Sequence, residues 1–162
     1  MMTLMAKSQF VYVTYIRTTP EKLWRALTEP EFTRQYWMAT TQESEWKAGT
    51  SWQISFSDGR VADTGEVVEI EPHRRLVLKW RHEIDAELRV EGYSRLTYGL
   101  EQNCETVKLT VTHEMDKSES KFIMAISTGW PAILSSLKSL LETGRSLENT
   151  LRSPEASRQP VN

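Results

Sequence analysis

Three histidines, His73, His82 and His113, are the only side chains in this 162-residue chain whose ordinary titration lies near neutral pH. His82 and His113 fall near the ends of segments that alternate apolar and polar residues, each on the apolar side. A neutral imidazole so placed could orient a ligand's polar group or act as a general base. The competing reading is a histidine hydrogen-bonded within the core. His73 follows Pro72 in a turn and reads as solvated. Glu91 and Glu114 could add a carboxylate to two histidines, but no metal-ligand spacing links them, so no metal and no cofactor are expected.

Other chemistry is thin. Cys104 is the single cysteine, which excludes an intramolecular disulfide and a cysteine zinc site. Within Gln102-Asn103-Cys104-Glu105 it reads as an incidental turn thiol. The chain has no Gly-rich phosphate loop and no Gly-x-Ser-x-Gly elbow. Glu83, Asp85 and Glu87 read as solvated charge in a connection. Asp63, Arg81 and Glu91 would reach a pocket rim only in a different strand register, and receive no role. A net charge of −2 with scattered Lys and Arg gives no footprint for nucleic acid. Apolar residues at 39% and charged residues at 26% suit a globular domain. Met1 to Gln9 lacks the apolar core of a secretory signal, and no apolar run reaches membrane-spanning length, so cytoplasm is expected.

The aromatic residues are more informative. Trp37, Trp52, Phe56, Trp80, Tyr98 and Trp130 fall on the candidate inner surface, with Ile54 and Leu134 beside them. Large rings there either fill a concave sheet or line a pocket in it.

The elements that must position these residues follow from periodicity. Phe10 to Arg17 is β-branched and aromatic, a strand with both faces expected to be partly covered. Thr19-Pro20-Glu21 opens a short helix, and Pro30 ends it and opens a second. From Thr41 the period becomes two, with Asp58-Gly59, Glu71-Pro72-His73-Arg74 and the Cys104 segment as turns. Gly65 is a candidate bulge or point of close approach. Ile84 to Glu91 reads as a polar connection or strand edge. Ile126, Trp130, Ile133, Leu134, Leu137, Leu140 and Leu141 trace one helical stripe. Pro131 predicts that the main helix starts near Thr128 or Gly129, after a separate turn over Lys121 to Ser127. Gly144 is the expected C-cap. The sum is an α+β chain: a curved antiparallel sheet of about seven strands, two short helices after strand 1, and a long C-terminal helix across the sheet. One domain over 9–147 is expected, with flexible ends at 1–8 and 148–162.

Four segments carry a resemblance to a known family. They are Thr19-Pro20-Glu21-Lys22-Leu23-Trp24-Arg25-Ala26-Leu27-Thr28, Tyr36-Trp37, Gly65 to Pro72 with Arg74-Arg75-Leu76-Val77, and Gly129 to Leu137. Together they resemble homologues of the activator of the ninety-kilodalton heat-shock chaperone ATPase, within the START-like, birch-pollen-allergen-like superfamily. The resemblance implies the helix-grip fold with a cavity between sheet and long helix. Relatives include chaperone cofactors, lipid and hormone carriers, and polyketide cyclases or dehydratases, and a fold does not choose among them. Eukaryotic chaperone activators carry a large domain ahead of this one, whereas nine residues precede the first strand here. The expectation is therefore a shared domain rather than the full activating role. The leading functional expectation is binding of a hydrophobic small molecule, apolar, aromatic or lipid-like, by Trp37, Trp52, Ile54, Phe56, Trp80, His82, Tyr98, His113, Trp130 and Leu134. The alternatives are a cyclase- or dehydratase-like enzyme using His82 or His113, and an interaction domain whose pocket its own side chains fill. A homodimer through exposed strand edges stays open.

Overall fold

The computed structural model describes residues 7–151. Strand β1 (Ser8–Ile16) leads into helices α1 (Pro20–Thr28) and α2 (Pro30–Tyr36), and six strands follow: β2 (Thr41–Ser44), β3 (Ser51–Ser55), β4 (Val61–Glu71), β5 (Arg75–His82), β6 (Ser94–Asn103) and β7 (Thr106–Met115). A short helix α3 (Ala86–Arg89) interrupts the meander between β5 and β6. Helix α4 (Lys121–Thr143) and a one-turn helix α5 (Glu148–Leu151) close the described chain. The expected loose ends fall mostly outside the described residues. Within those, β1 opens at Ser8 and α5 occupies 148–151.

All seven strands form one antiparallel sheet in the order β1-β7-β6-β5-β4-β3-β2. The chain crosses from one edge to the other through α1 and α2, then returns strand by strand. The inner face is buried at alternate positions, as in β7, where Val107, Leu109, Val111, His113 and Met115 are buried. Helix α4 lies over that face and buries Trp130, Leu134 and Leu137 against it. This is the helix-grip architecture.

Three local features differ from the sequence reading. Helix α4 runs unbroken from Lys121, with Pro131 in its interior. A proline there forfeits one backbone hydrogen bond and costs about 3 kcal/mol. The first turns are held independently: Ser120 caps Ile123 N–H at 3.1 Å, and Glu91 accepts from the N–H groups of Lys121 and Phe122 at 2.9 and 3.2 Å. Phe122 and Ile123 are buried. These contacts offset the proline, so the segment before it stays helical. The outer face of β1 is also uncovered among the described residues, with Val11, Val13 and Tyr15 exposed. Finally, the β4–β5 register shifts between Val67 and Glu69, so the bulge sits there rather than at Gly65.

Gly65 is instead the point of close approach. A Cβ built on it would lie 1.7 Å from the carbonyl oxygen of Lys79 on β5, a backbone atom that cannot yield without breaking the pairing. Added carbon at Gly99 meets nothing within 4 Å. Gly65→Ala is expected to destabilise the fold by about 3 kcal/mol or more, while Gly99→Ala stays within about 0.5 kcal/mol. Urea unfolding of the two variants checks this, and equal effects would refute the backbone clash.

Candidate functional site

Two hydrogen-bonded groups on the inner face organise the region beneath α4. The deeper one centres on His113, which is fully buried on β7. Trp130 Nε1 donates to His113 Nδ1 at 3.1 Å, so Nδ1 carries no proton and Nε2 does. His113 Nε2 donates in turn to Ser94 Oγ at 2.7 Å, and that hydroxyl donates to the Trp80 carbonyl at 2.9 Å. Both ring nitrogens are engaged, and burial drives the imidazole down to about 3, keeping it neutral. His113 therefore joins α4 to β6 and β7 and is closed to proton exchange with a ligand.

The second group lies nearer the open end of the sheet. Asp63 on β4 pairs across the ladder with His82 on β5, and its Oδ1 lies 3.1 Å from His82 Nδ1. Trp80 Nε1 donates to the same oxygen at 2.9 Å. The hydrogen bond to Asp63 leads in raising the His82 pKa, ahead of opposing burial. Since Asp63 is the acceptor, the His82 proton sits on Nδ1.

Trp80 links the two groups and lies in a cluster of rings. Its centroid is 4.7 Å from Trp52, 5.1 Å from His113, and 5.9 Å from both Trp37 and Trp130. Trp37 and Trp130 meet edge-on at 5.2 Å. A cavity of about 290 Å³ opens there, between the cluster and α4.

Of the residues singled out from sequence, Trp37, Ile54, Phe56, Trp80, His82 and Trp130 line this cavity. Trp52, Tyr98, His113 and Leu134 are packed in the core and form none of its wall. Helix α4 adds Phe122, Ala125, Ile126, Gly129 and Ile133, and Leu88 of α3 covers one side. Leu88 escaped the sequence reading, and Asp63 entered it only as a rim residue conditional on a different strand register. Leu88 stands in a segment dominated by charge. The alternation in β4 would have found Asp63 only if the Val68 bulge had been recognised. A larger hollow of about 450 Å³, between Arg34, Glu43, Gln53 and Ser57, has polar walls and lacks the ring cluster. Apolar walls favour the first as a ligand site.

Glu91, left without a role by its sequence context, fastens the roof. Besides the two backbone N–H groups of α4 it accepts from Ser120 Oγ at 2.6 Å. Burial raises its pKa, but the bonds from Ser120, Lys121 and Phe122 outweigh this and hold it below the ordinary glutamate value. At the far end of α4, Glu142 accepts from Arg17 N–H at 2.8 Å, and Lys138 donates to the Tyr15 carbonyl.

A concave antiparallel sheet roofed by a helix, with a ring-lined cavity between, defines a helix-grip protein of the START-like class. Residues 17–142 match the family described as activator of Hsp90 ATPase homolog 1-like protein, and the chain belongs to that family. No curated protein matches it. Among solved structures it is similar to a protein from Mesorhizobium loti at 26% identity, covering 83% of this chain and 96% of that one, with a TM-score of 0.70. It shares its fold with the Aha1 dimer from Colwellia psychrerythraea (19% identity, 86% and 99% covered, TM-score 0.69). An HSP90 activator from Plasmodium falciparum has the fold too (22% identity, 82% and 95% covered, TM-score 0.64). No helix among the described residues is long and apolar enough to cross a membrane.

The two histidines should respond to pH in opposite senses. His113 favours the fold fully above about 6.5, its ordinary value, and that contribution falls as pH drops towards 3, because the unfolded chain takes up the proton first. His82 contributes fully below 6.5 and loses its contribution as pH rises through its raised folded value. Imidazole ¹⁵N spectra should show His113 as the neutral Nε2–H tautomer down to pH 4.5, and His82 titrating with a midpoint above 6.5. Protonation of His113 near pH 6 would contradict the buried chain.

Proposed function

We propose that this protein binds a small apolar or aromatic molecule in the cavity between α4 and the ring cluster. The observation carrying the reading is the cavity itself: about 290 Å³, walled by Trp37, Phe56, Trp80, Trp130 and aliphatic side chains, with Asp63 and His82 as its ionisable groups. Such composition, mostly apolar with a few placed polar groups, is that of small-molecule sites.

The Asp63–His82 pair favours a second reading. A carboxylate that fixes the Nδ1–H tautomer leaves Nε2 to accept a proton, as a general base requires. An enzyme of the cyclase or dehydratase kind would use His82 in this way, and the geometry favours His82 over His113, whose nitrogens are both engaged. Binding ranks first because the described residues place a single unpartnered indole donor, Trp37 Nε1, in the cavity, short of the donor set that stabilises a developing oxyanion.

Gly129 offers a direct test. It lines the cavity, and a Cβ added there meets nothing within 4 Å. Gly129→Leu should fold at least as stably as the parent, since glycine inside a helix costs about 0.8–1.0 kcal/mol, yet its side chain would occupy the cavity. A thermal-shift screen of flavonoids, polyketide-like aromatics and lipids should find compounds that raise the parent's Tm by about 5 °C near saturation. Gly129→Leu should lose that rise. A parent unmoved by every compound, or a variant that responds equally, would refute the assignment.

A further inference from the structure

The polar groups around the cavity have an asymmetry that narrows its ligand. The indole N–H of Trp80 is used on Asp63 Oδ1, and that of Trp130 on His113. The Thr40 hydroxyl donates to the Trp37 carbonyl at 2.6 Å. Asp63 Oδ1 also takes His82 Nδ1–H, but Asp63 Oδ2 accepts no hydrogen bond among the described residues. A neutral His82 presents Nε2 as a second acceptor. Trp37 Nε1 is the indole donor of the cluster left without a partner among those residues. The nearby arginines do not offset Asp63, since Arg81 and Arg89 both pair with Glu83, at 2.8 and 3.1 Å, and His82, 3.1 Å from Asp63 Oδ1, offsets it only while protonated. The cavity therefore combines apolar rings with an anionic acceptor.

We propose that, with His82 neutral, the cavity selects flat apolar molecules of about two fused rings that carry a hydrogen-bond donor, a phenolic hydroxyl or a protonated amine, which pairs with Asp63 Oδ2, and that it discriminates against carboxylates. The inference rests on the binding role assigned to the cavity above. Size sets the ring count: about 290 Å³ lies at the small end of the roughly 300–1,000 Å³ of ligand sites. Charge sets the head group. A donor meeting a carboxylate in an apolar surround makes a charge-assisted bond, whereas a second carboxylate meets a like charge where water screens it poorly.

A matched series tests this above the His82 midpoint, where the imidazole is neutral: 2-naphthol, 2-naphthylmethylamine, 2-naphthoate and naphthalene, measured by calorimetry and tryptophan quenching. Asp63→Asn keeps an oxygen for Trp80 and His82 and can set an NH₂ where Oδ2 stood. The parent should bind naphthol and the amine at least about tenfold more tightly than naphthoate and naphthalene. Asp63→Asn should lose that preference and bring naphthoate level with naphthol or above it. Amine above phenol would assign the preference chiefly to charge, and phenol above amine chiefly to hydrogen bonding. Both orders support the proposal. Naphthoate binding the parent as tightly as naphthol, or an unchanged order in a folded Asp63→Asn, would overturn it while leaving the binding role intact. If Asp63→Asn does not fold by circular dichroism, the order in the parent alone decides. Failure of all four to bind the parent would remove the binding role and this inference together.

Discussion

The buried chain from Trp130 through His113 and Ser94 to the Trp80 carbonyl fixes where the long helix can lie. Each donor in it has one acceptor, and the direction of every proton follows from the indole at its start. An unpaired nitrogen at that depth costs about 1–3 kcal/mol, so sliding α4 along the sheet is disfavoured even where apolar packing would tolerate it. The same bonds set the tilt of Trp130 against Trp37, Trp80 and Tyr98. Trp130 lines the open space, so His113 bears on that space through its bond to Trp130 although it does not touch it. A histidine that looks available for chemistry in the sequence is here the fastening for a roof.

The roof is secured at both ends by groups from outside it. Glu91 holds the first turn of α4, and the Arg17 N–H with the Tyr15 carbonyl engages the last turns. Between those anchors the helix presents Ala125 and Gly129, the two smallest side chains it could offer, to the cavity. The central part of α4 carries both Gly129 and Pro131, which are poor helix formers. A helix that relied on its own propensity would not carry both so close together. This one relies on its caps and on burial of the stripe through Leu137, and so tolerates a weak middle above the opening.

Much of this was legible in the residues. The Thr19-Pro20 and Pro30 starts, the Asp58-Gly59 turn, the alternation of β3 and β7 and the apolar stripe of α4 led to the architecture without appeal to tertiary contacts. The site was harder to read, because its residues depend on register. Leu76, Leu78, Trp80 and His82 alternate cleanly, but their partners on β4 do not. Continuing the register from the Glu71–Arg75 pair would set His82 opposite Thr64, whereas the bulge at Val68 sets it opposite Asp63. One extra residue thus exchanges the inward set of β4 and brings a carboxylate to the cavity. No local sequence signal marks that insertion. Pro131 misled in the opposite way: its usual effect is real, and contacts from Glu91, thirty residues earlier, override it. The choice between packed ring and pocket wall depends on ring tilt, which alternation does not encode. Trp52 and Trp80 share a pattern and differ in fate.

A molecule held between α4 and the ring cluster, as proposed, would lie against side chains that one bound elsewhere could not reach. Methyl-labelled protein with a bound aromatic probe tests that placement most directly, through intermolecular NOEs. Contacts are expected from the probe to the methyl groups of Ile54, Leu88, Ile126 and Ile133, which line the cavity, and none to Leu76 or Leu109 in the sealed core. Contacts instead to Val11 and Val13 on the outer face of β1 would contradict it.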